Sequence, residues 1–302
     1  MATPNINHSF PAPGRINLRL KRFETMKKIL VTTDFSAHSK AGMRFAIQLA
    51  TQKKAELVFF YCFQAMLPTT IQGKFVDTSV QKQAKTHLQK LEKFVASLYK
   101  SMEITPGAYR CVTVENLSPD KAILDFAGHH AIDYICIGTR GAGKLRKIIG
   151  TNTSGVILKS PVPVFAVPHT WRAQPLKKIM YASDVEDLEN EMHIVSALAQ
   201  SLDVQVDLAH FYYPGEIKTD PSVLTGFWRE KMERLDQIFL EPFDVDKGFA
   251  GQMSRVVQKA KPSLVVFFTH TNKTWFDKLF SISRSEAFSF ITKVPMLVYR
   301  KN

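Results

Sequence analysis

KKILVTTD, residues 27–34, is the most informative stretch of this chain, because a close copy of it, KKIMYASD, recurs at residues 177–184. Both copies are apolar runs of strand length that end in a small hydroxylic residue and an aspartate. Each copy is followed by a stretch of helical periodicity and then by a second apolar run. This repeat predicts one structural unit written twice in tandem.

Strand and helix patterns alternate within the first copy. Apolar runs predict further strands at residues 57–63, 109–114, 133–137 and 162–167, with helical periodicity between them. Strands separated by helices of this length form parallel βαβ units with right-handed crossovers. The sequence therefore predicts an α/β protein with two doubly wound parallel-sheet domains in tandem.

The chain divides into three predicted parts. Residues 1–25 contain three prolines, are basic, lack the apolar core of a secretory leader, and are expected to form a disordered arm. Met26 stands directly before the first predicted strand and is an alternative start of the protein. Residues 26–171, the first half, and residues 172–302, the second half, are the two predicted domains.

Charge separates the two halves. The first half carries nineteen Lys and Arg against nine Asp and Glu, whereas the second half carries seventeen of each. The excess predicts an anionic partner for the first half, either a small phosphate ligand or a polyanion. No aromatic or recognition-helix motif accompanies the charge, so a nucleic acid is not the expected partner. No apolar run is long enough to cross a membrane.

A glycine-rich run, GTRGAGKLRKIIGTNTS, occupies residues 138–154 after the fourth predicted strand. Glycines let backbone amides approach an anion closely, and the helix expected after Gly150 offers free amides and a positive dipole end. Arg140 adds positive charge. Residues 138–144 also match GxxxxGK, but Leu145 stands where a P-loop needs Ser or Thr for magnesium. We therefore interpret the run as a phosphate-binding loop of another kind.

Together these motifs resemble the universal stress protein family, as a tandem pair whose second copy is degenerate. The resemblance covers residues 27–300 and rests on the KKILV start, the glycine loop and the PVFAV strand at residues 163–167. It implies an adenine nucleotide α-hydrolase-like fold with strand order 3-2-1-4-5. In ATP-binding members the loop reads Gly-x2-Gly-x9-Gly-(Ser/Thr), whereas Gly141 and Gly150 enclose eight residues.

The resemblance also implies a site, between the first and fourth strands, for ATP, ADP or AMP, with or without Mg²⁺. Asp34 and Cys62 would contact adenine, and Thr32 and Gly138 would line the ribose. The phosphates would be held by the loop and the start of the next helix, namely by Gly141, Gly150, Thr151 and Asn152, beside Arg140. The implied function is a nucleotide-binding regulatory protein of the stress response. The resemblance further implies an intramolecular pseudo-dimer through the last strands of the halves, and leaves a homodimer open.

The second half lacks these features. No glycine follows Gly251, and bulky Trp275 and Phe276 stand where the loop would approach phosphate. We expect this half to be structural or regulatory.

Other interpretations stay open from the sequence alone. Asp34 could serve only to cap the following helix, with or without Ser36, and the glycine run could be a surface connection. The protein could also be an interaction protein that has lost ATP. No nucleophile–His–acid set or paired carboxylate is evident, so no enzyme is expected beyond slow incidental ATP hydrolysis. Three separate cysteines without a CxxC pair favour reduced thiols and a cytoplasmic location.

Overall fold

The structure, a computed structural model, describes residues 26–66, 74–139, 151–184, 187–212, 221–269 and 293–301. The strands in this part of the chain are β1 (Lys28–Thr33), β2 (Glu56–Phe63), β3 (Tyr109–Glu115), β4 (Tyr134–Thr139), β5 (Val164–Pro168), β6 (Lys178–Ser183), β7 (Gln205–Tyr212), β8 (Leu235–Pro242), β9 (Leu264–Thr269) and β10 (Met296–Arg300). The helices are α1 (Ala37–Gln52), α2 (Lys74–Met102), α3 (Pro119–His129), α4 (Thr151–Lys159), α5 (Leu188–Leu202), α6 (Pro221–Lys231) and α7 (Gly248–Ala260).

All of these strands belong to one ten-stranded sheet, in the order β3-β2-β1-β4-β5-β10-β9-β6-β7-β8. The predicted order 3-2-1-4-5 is confirmed in the first half, and the second half repeats it as β8-β7-β6-β9-β10. Neighbouring strands are parallel within each half. Where the halves meet, β5 and β10 pair antiparallel, with Phe165 opposite Leu297. The α/β class and the tandem doubly wound architecture are therefore as predicted.

Helices cover both faces of the sheet, which is why its central strands are apolar along their whole length. On one face, α1, α2, α5 and α6 pack in a single apolar cluster that includes Phe45, Val95, Val195 and Trp228. On the other face, α3, α4 and α7 pack in a second cluster. Every residue of β9 is buried, and β4 is buried except at Gly138. This cover leaves the strand ends as the places where polar groups can gather.

Local chemistry sets several helix boundaries. Ser36 caps α1, because its hydroxyl oxygen accepts a 3.2 Å hydrogen bond from the Ser39 amide. Pro119 opens α3 in the first turn, where a missing amide proton costs nothing. The helix predicted from the apolar spacing of residues 80–98 runs farther, over the 29 residues of α2. Its counterpart in the second half, α6, has only 11 residues.

Within the described part of the chain, no helix is long and apolar enough to cross a lipid bilayer.

Candidate functional site

A cavity of about 260 Å³ opens at the carboxyl edge of the sheet, between the ends of β1 and β4. Strand order reverses here, since the chain leaves β1 toward β2 and leaves β4 toward β5. Ligands of open parallel sheets bind at such a switch point. Thr32, Asp34, Cys62 and Gly138 all line the cavity, and the first turns of α1, α3 and α4 border it. The structure thus brings together four of the residues that the sequence singled out.

The β1–α1 turn that carries Asp34 is held by its own polar groups. Asp34 Oδ1 accepts a 2.9 Å hydrogen bond from the Ser36 amide, and Thr33 Oγ1 accepts one of 3.0 Å from the Phe35 amide. The Thr33 and Ser39 hydroxyls lie 3.0 Å apart. Since Ser36 supplies the cap of α1, Asp34 shapes the turn without being the capping residue. Its carboxylate therefore stands at the cavity, fixed on one side by the backbone.

The electrostatics of this turn favour an ionised Asp34. Partial loss of hydration acts to raise the pKa of this carboxyl, but hydrogen bonds from Ser36 and Ser39 outweigh it and hold the pKa below its usual value. Asp34 is consequently a permanent hydrogen-bond acceptor at neutral pH.

Phe35 is not among the residues that line the cavity, but it supports the turn of Asp34, and the sequence did not predict this role. Its φ of 62° lies in the left-handed region, which a bulky side chain rarely adopts. Its ring packs against Tyr61 and Phe94, with centroids 4.6 and 5.3 Å away, and Lys90 Nζ lies 4.4 Å over its face. These contacts anchor the strained turn from the other side of the sheet and so hold Asp34 in place. An aromatic residue directly after the strand-end aspartate was the available clue.

Gly138 is required by packing as well as by position. A Cβ at this residue would lie 2.3 Å from the backbone oxygen of His38 and 3.0 Å from Ser39 Cα. Gly42, one helical turn farther, faces the same strand, since its Cβ would lie 2.9 Å from the Gly138 amide nitrogen. Two glycines therefore let α1 cross β4 at close range, which brings the turn of Asp34 next to the end of β4. Gly42 was not identified from the sequence.

The opposite wall is built from β2, α3 and α4. Cys62 Sγ donates to the Asn116 carbonyl at 3.4 Å, and partial burial together with nearby Glu115 raises the pKa of the thiol. The Ser118 hydroxyl donates to Asp120 Oδ1 at 2.6 Å at the start of α3. A Cβ on Gly155 of α4 would lie 3.2 Å from Asp120 Oδ2. Helices α3 and α4 thus approach closely, and Thr153 in the first turn of α4 lines the cavity.

The remaining predicted residues are described only in part or not at all. Arg140, Gly141 and Gly150 lie outside the described residues. Thr151 and Asn152 begin α4, and only their backbone is described. The predicted helix start after Gly150 is therefore found at Thr151, beside the cavity.

Where side chains are described, no cluster of three or more His, Cys, Asp or Glu residues could hold a metal ion.

The corresponding edge of the second half is organised differently. Asp184 follows β6 as Asp34 follows β1, but both of its oxygens accept hydrogen bonds from Lys301 Nζ, at 2.7 and 2.8 Å. Lys301 follows β10 and also lies 2.6 Å from Glu191 Oε1, whose carboxylate accepts a hydrogen bond from the Tyr181 hydroxyl. The strand-end aspartate of this half is therefore engaged by a lysine of its own chain.

Comparisons with known proteins show what the first half of the chain and the overall fold are similar to. The model of the universal stress protein family matches residues 25–168. A universal stress protein from Archaeoglobus fulgidus DSM 4304 is similar in structure over 92% of this chain and 99% of that chain, with a TM-score of 0.65 and 15% sequence identity. A protein of unknown function from Pseudomonas aeruginosa PAO1 is similar over 92% of this chain and 94% of that chain, with a TM-score of 0.56 and 14% identity. No curated protein sequence matches. At these identities the solved structures share the fold.

Proposed function

Because the chain carries a domain of the universal stress protein family over residues 25–168, we propose that its cavity binds an adenine nucleotide and that the protein regulates a stress response through this ligand. ATP, ADP and AMP are the candidates. The observation that carries the proposal is the convergence of Asp34, Gly138 and the first turn of α4 on one cavity at the switch point of the sheet.

The chemistry of the cavity wall fits a nucleotide. Phe60, Ile123 and Ile137 supply apolar surface suited to a base, and Asp34 supplies a hydrogen-bond acceptor for an amino or hydroxyl group. The amides that begin α4 have no intrahelical partners and point along a positive dipole end, which suits phosphate. The volume of about 260 Å³ is near the lower end of the range of small-molecule sites, which begins at about 300 Å³.

A magnesium ion would accompany the phosphates in the usual way. In the part of the chain with described side chains no carboxylate cluster could bind it, so its ligands would come mainly from nucleotide and water. We further propose that the protein is not an enzyme beyond slow ATP hydrolysis, since Asp34 is the one carboxylate among the described residues that line the cavity.

The remaining proposals concern organisation. The antiparallel pairing of β5 with β10 supports an intramolecular pseudo-dimer, in which the second half has a structural or regulatory role. A homodimer of the whole chain is compatible with this arrangement. The separate, protonated thiols favour a cytoplasmic protein.

Titration calorimetry of the purified protein with ATP, ADP, AMP and adenosine tests the nucleotide proposal. We expect saturable binding by the wild type. Asp34→Ala should raise the dissociation constant about 10- to 100-fold, because this is the typical effect of losing a hydrogen bond to a charged group. Asp125→Ala is the matched control, because Asp125 is exposed on α3 and lies outside the cavity lining. Mass spectrometry of small molecules released from the protein would identify the bound nucleotide.

The rival function is a ligand-free interaction protein, which the shortened glycine loop favours. It predicts no saturable binding by the wild type and no nucleotide released on denaturation. The two findings together would remove the nucleotide proposal and leave the scaffold role.

A further inference from the structure

The second half contains a buried polar cluster that the nucleotide proposal does not use. It consists of Tyr181 on β6, Asp184 after β6, Glu191 on α5 and Lys301 after β10, and we name it the Glu191 cluster. The side chains of Glu191 and Lys301 are 2% and 5% exposed, whereas that of Asp184 is 25% exposed. Ionisable groups with so little exposure are rare unless they are paired.

Pseudo-symmetry shows that this cluster is peculiar to the second half. When the two halves are aligned, Val31 is equivalent to Tyr181, Ala41 to Glu191 and His169 to Lys301. Val31 and Ala41 are buried apolar residues. The second half therefore has three polar side chains at positions that are apolar or exposed in the first half. These side chains lie around Asp184, the equivalent of Asp34.

Two carboxylates share the ammonium group of Lys301. Its Nζ lies 2.6 Å from Glu191 Oε1 and 2.7 Å from Asp184 Oδ1. Asp184 keeps partial access to water. Glu191 has no such access, and the groups that face it are Tyr181, Lys301 and Asp184. When two carboxylates share a site, the less hydrated one takes up a proton first.

We propose that Glu191 is a proton-binding site that makes the stability of the second half depend on pH near neutrality. The proton comes from solvent and goes to the Glu191 carboxylate, while Lys301 stays ion-paired with Asp184. Burial raises the pKa of Glu191 from 4.5 to about 7, although Lys301 and Tyr181 act in the opposite direction. Lys301 immediately follows β10, which pairs with β5. Protonation of Glu191 therefore takes place next to the strand pair that joins the two halves.

The sign of the pH effect follows from linkage. Between pH 4.5 and 7 the native protein holds a proton on Glu191 that the unfolded chain has released. The contribution of Glu191 to stability is therefore complete below this window and falls as pH rises through it. The unfolding constant should increase by up to about tenfold per pH unit from this one group.

Urea unfolding of the full chain from pH 5 to 8 tests the proposal in the wild type, Glu191→Gln and Glu189→Gln. Glutamine at 191 imitates the protonated acid, so the ratio of wild-type to Glu191→Gln unfolding constants should rise at least 30-fold between pH 5 and 7. Glu189→Gln is the matched control, because Glu189 is exposed in the same helical turn and should leave the wild-type pH dependence unchanged. A pH-independent ratio would overturn the proposal.

Infrared titration of the wild type gives a second readout that does not require the variant to fold. We expect a protonated carboxyl stretch at pH 6 that disappears near pH 7 to 8. Complete ionisation of every carboxyl group at pH 6 would overturn the proposal independently.

Discussion

Gly138→Ala tests how closely the cavity depends on the crossing of α1 over β4. The new Cβ would lie 2.3 Å from the His38 carbonyl oxygen, about 1 Å inside the 3.4 Å at which ordinary contact begins. Neither partner can yield cheaply, because the His38 oxygen is backbone in the first turn of α1 and Gly138 is paired with Val167 of β5.

The expected cost follows from these contacts. Overpacking of a well-packed interior typically costs about 1–3 kcal/mol, and contact with backbone places this site near the upper end. Replacing glycine recovers about 0.4–1 kcal/mol through the unfolded chain. The net loss should be about 2 kcal/mol, which is a roughly 30-fold rise in the unfolding constant. With an m-value of about 3 kcal/mol/M, the urea midpoint should fall by about 0.7 M.

Urea unfolding followed by circular dichroism measures this change, and calorimetry measures nucleotide binding in the same samples. Gly128→Ala is the matched control, because Gly128 lies in α3 with nothing within 4 Å of its Cβ position. It should stabilise the protein by about 0.5–1 kcal/mol. A Gly138→Ala protein as stable as the wild type would refute the packing argument, and unchanged stability with lost binding would assign the glycine to the ligand alone.

Three further predictions rest on single residues. Lys301→Met should lower the free energy of unfolding by about 3–5 kcal/mol at pH 7.5, and by less at pH 5, because it leaves the carboxylates of the Glu191 cluster without their cation. Thermal or urea unfolding measures this loss. The control Lys247→Met removes an exposed ion pair of 2.6 Å and should leave the stability unchanged, so equal effects of the two variants would contradict the role of burial. Ser36→Ala should cost about 1 kcal/mol in urea unfolding through loss of the α1 cap, and a neutral result would contradict the capping geometry. Cys62 should react with iodoacetamide more slowly than free cysteine at pH 8, because its pKa is raised, and bound nucleotide should slow it further; protection of Cys111 instead would place the ligand elsewhere.

Much of the fold follows from local patterns. The strand periodicity and the repeat of residues 27–34 at 177–184 predict the α/β class, the parallel units and their duplication, and the described strands agree. These features are readable because each depends on side chains close together in sequence. The start of α2 was harder to predict, because its first turns lie before residue 80, where the apolar spacing that predicted the helix begins.

The candidate site could be predicted only in outline. Thr32, Asp34, Cys62 and Gly138 were located from strand ends and resemblance, and all of them line the cavity. Phe35 and Gly42 were not predicted, because their roles arise from packing on the far face of the sheet and from a helix crossing. Neither a positive φ nor a backbone contact leaves a periodic trace in the sequence.

The duplicated scaffold, the charge difference between the halves and the absence of the glycine loop from the second half can all be read from the order of residues alone. That Asp34 faces a cavity while Asp184 is ion-paired with Lys301 becomes visible only in the folded protein. Lys301 and Asp184 are 117 residues apart in the chain, and Tyr181 and Glu191 join them through different elements. Their ionisation depends on distance and hydration in the folded protein, and these quantities do not exist until the strands are paired.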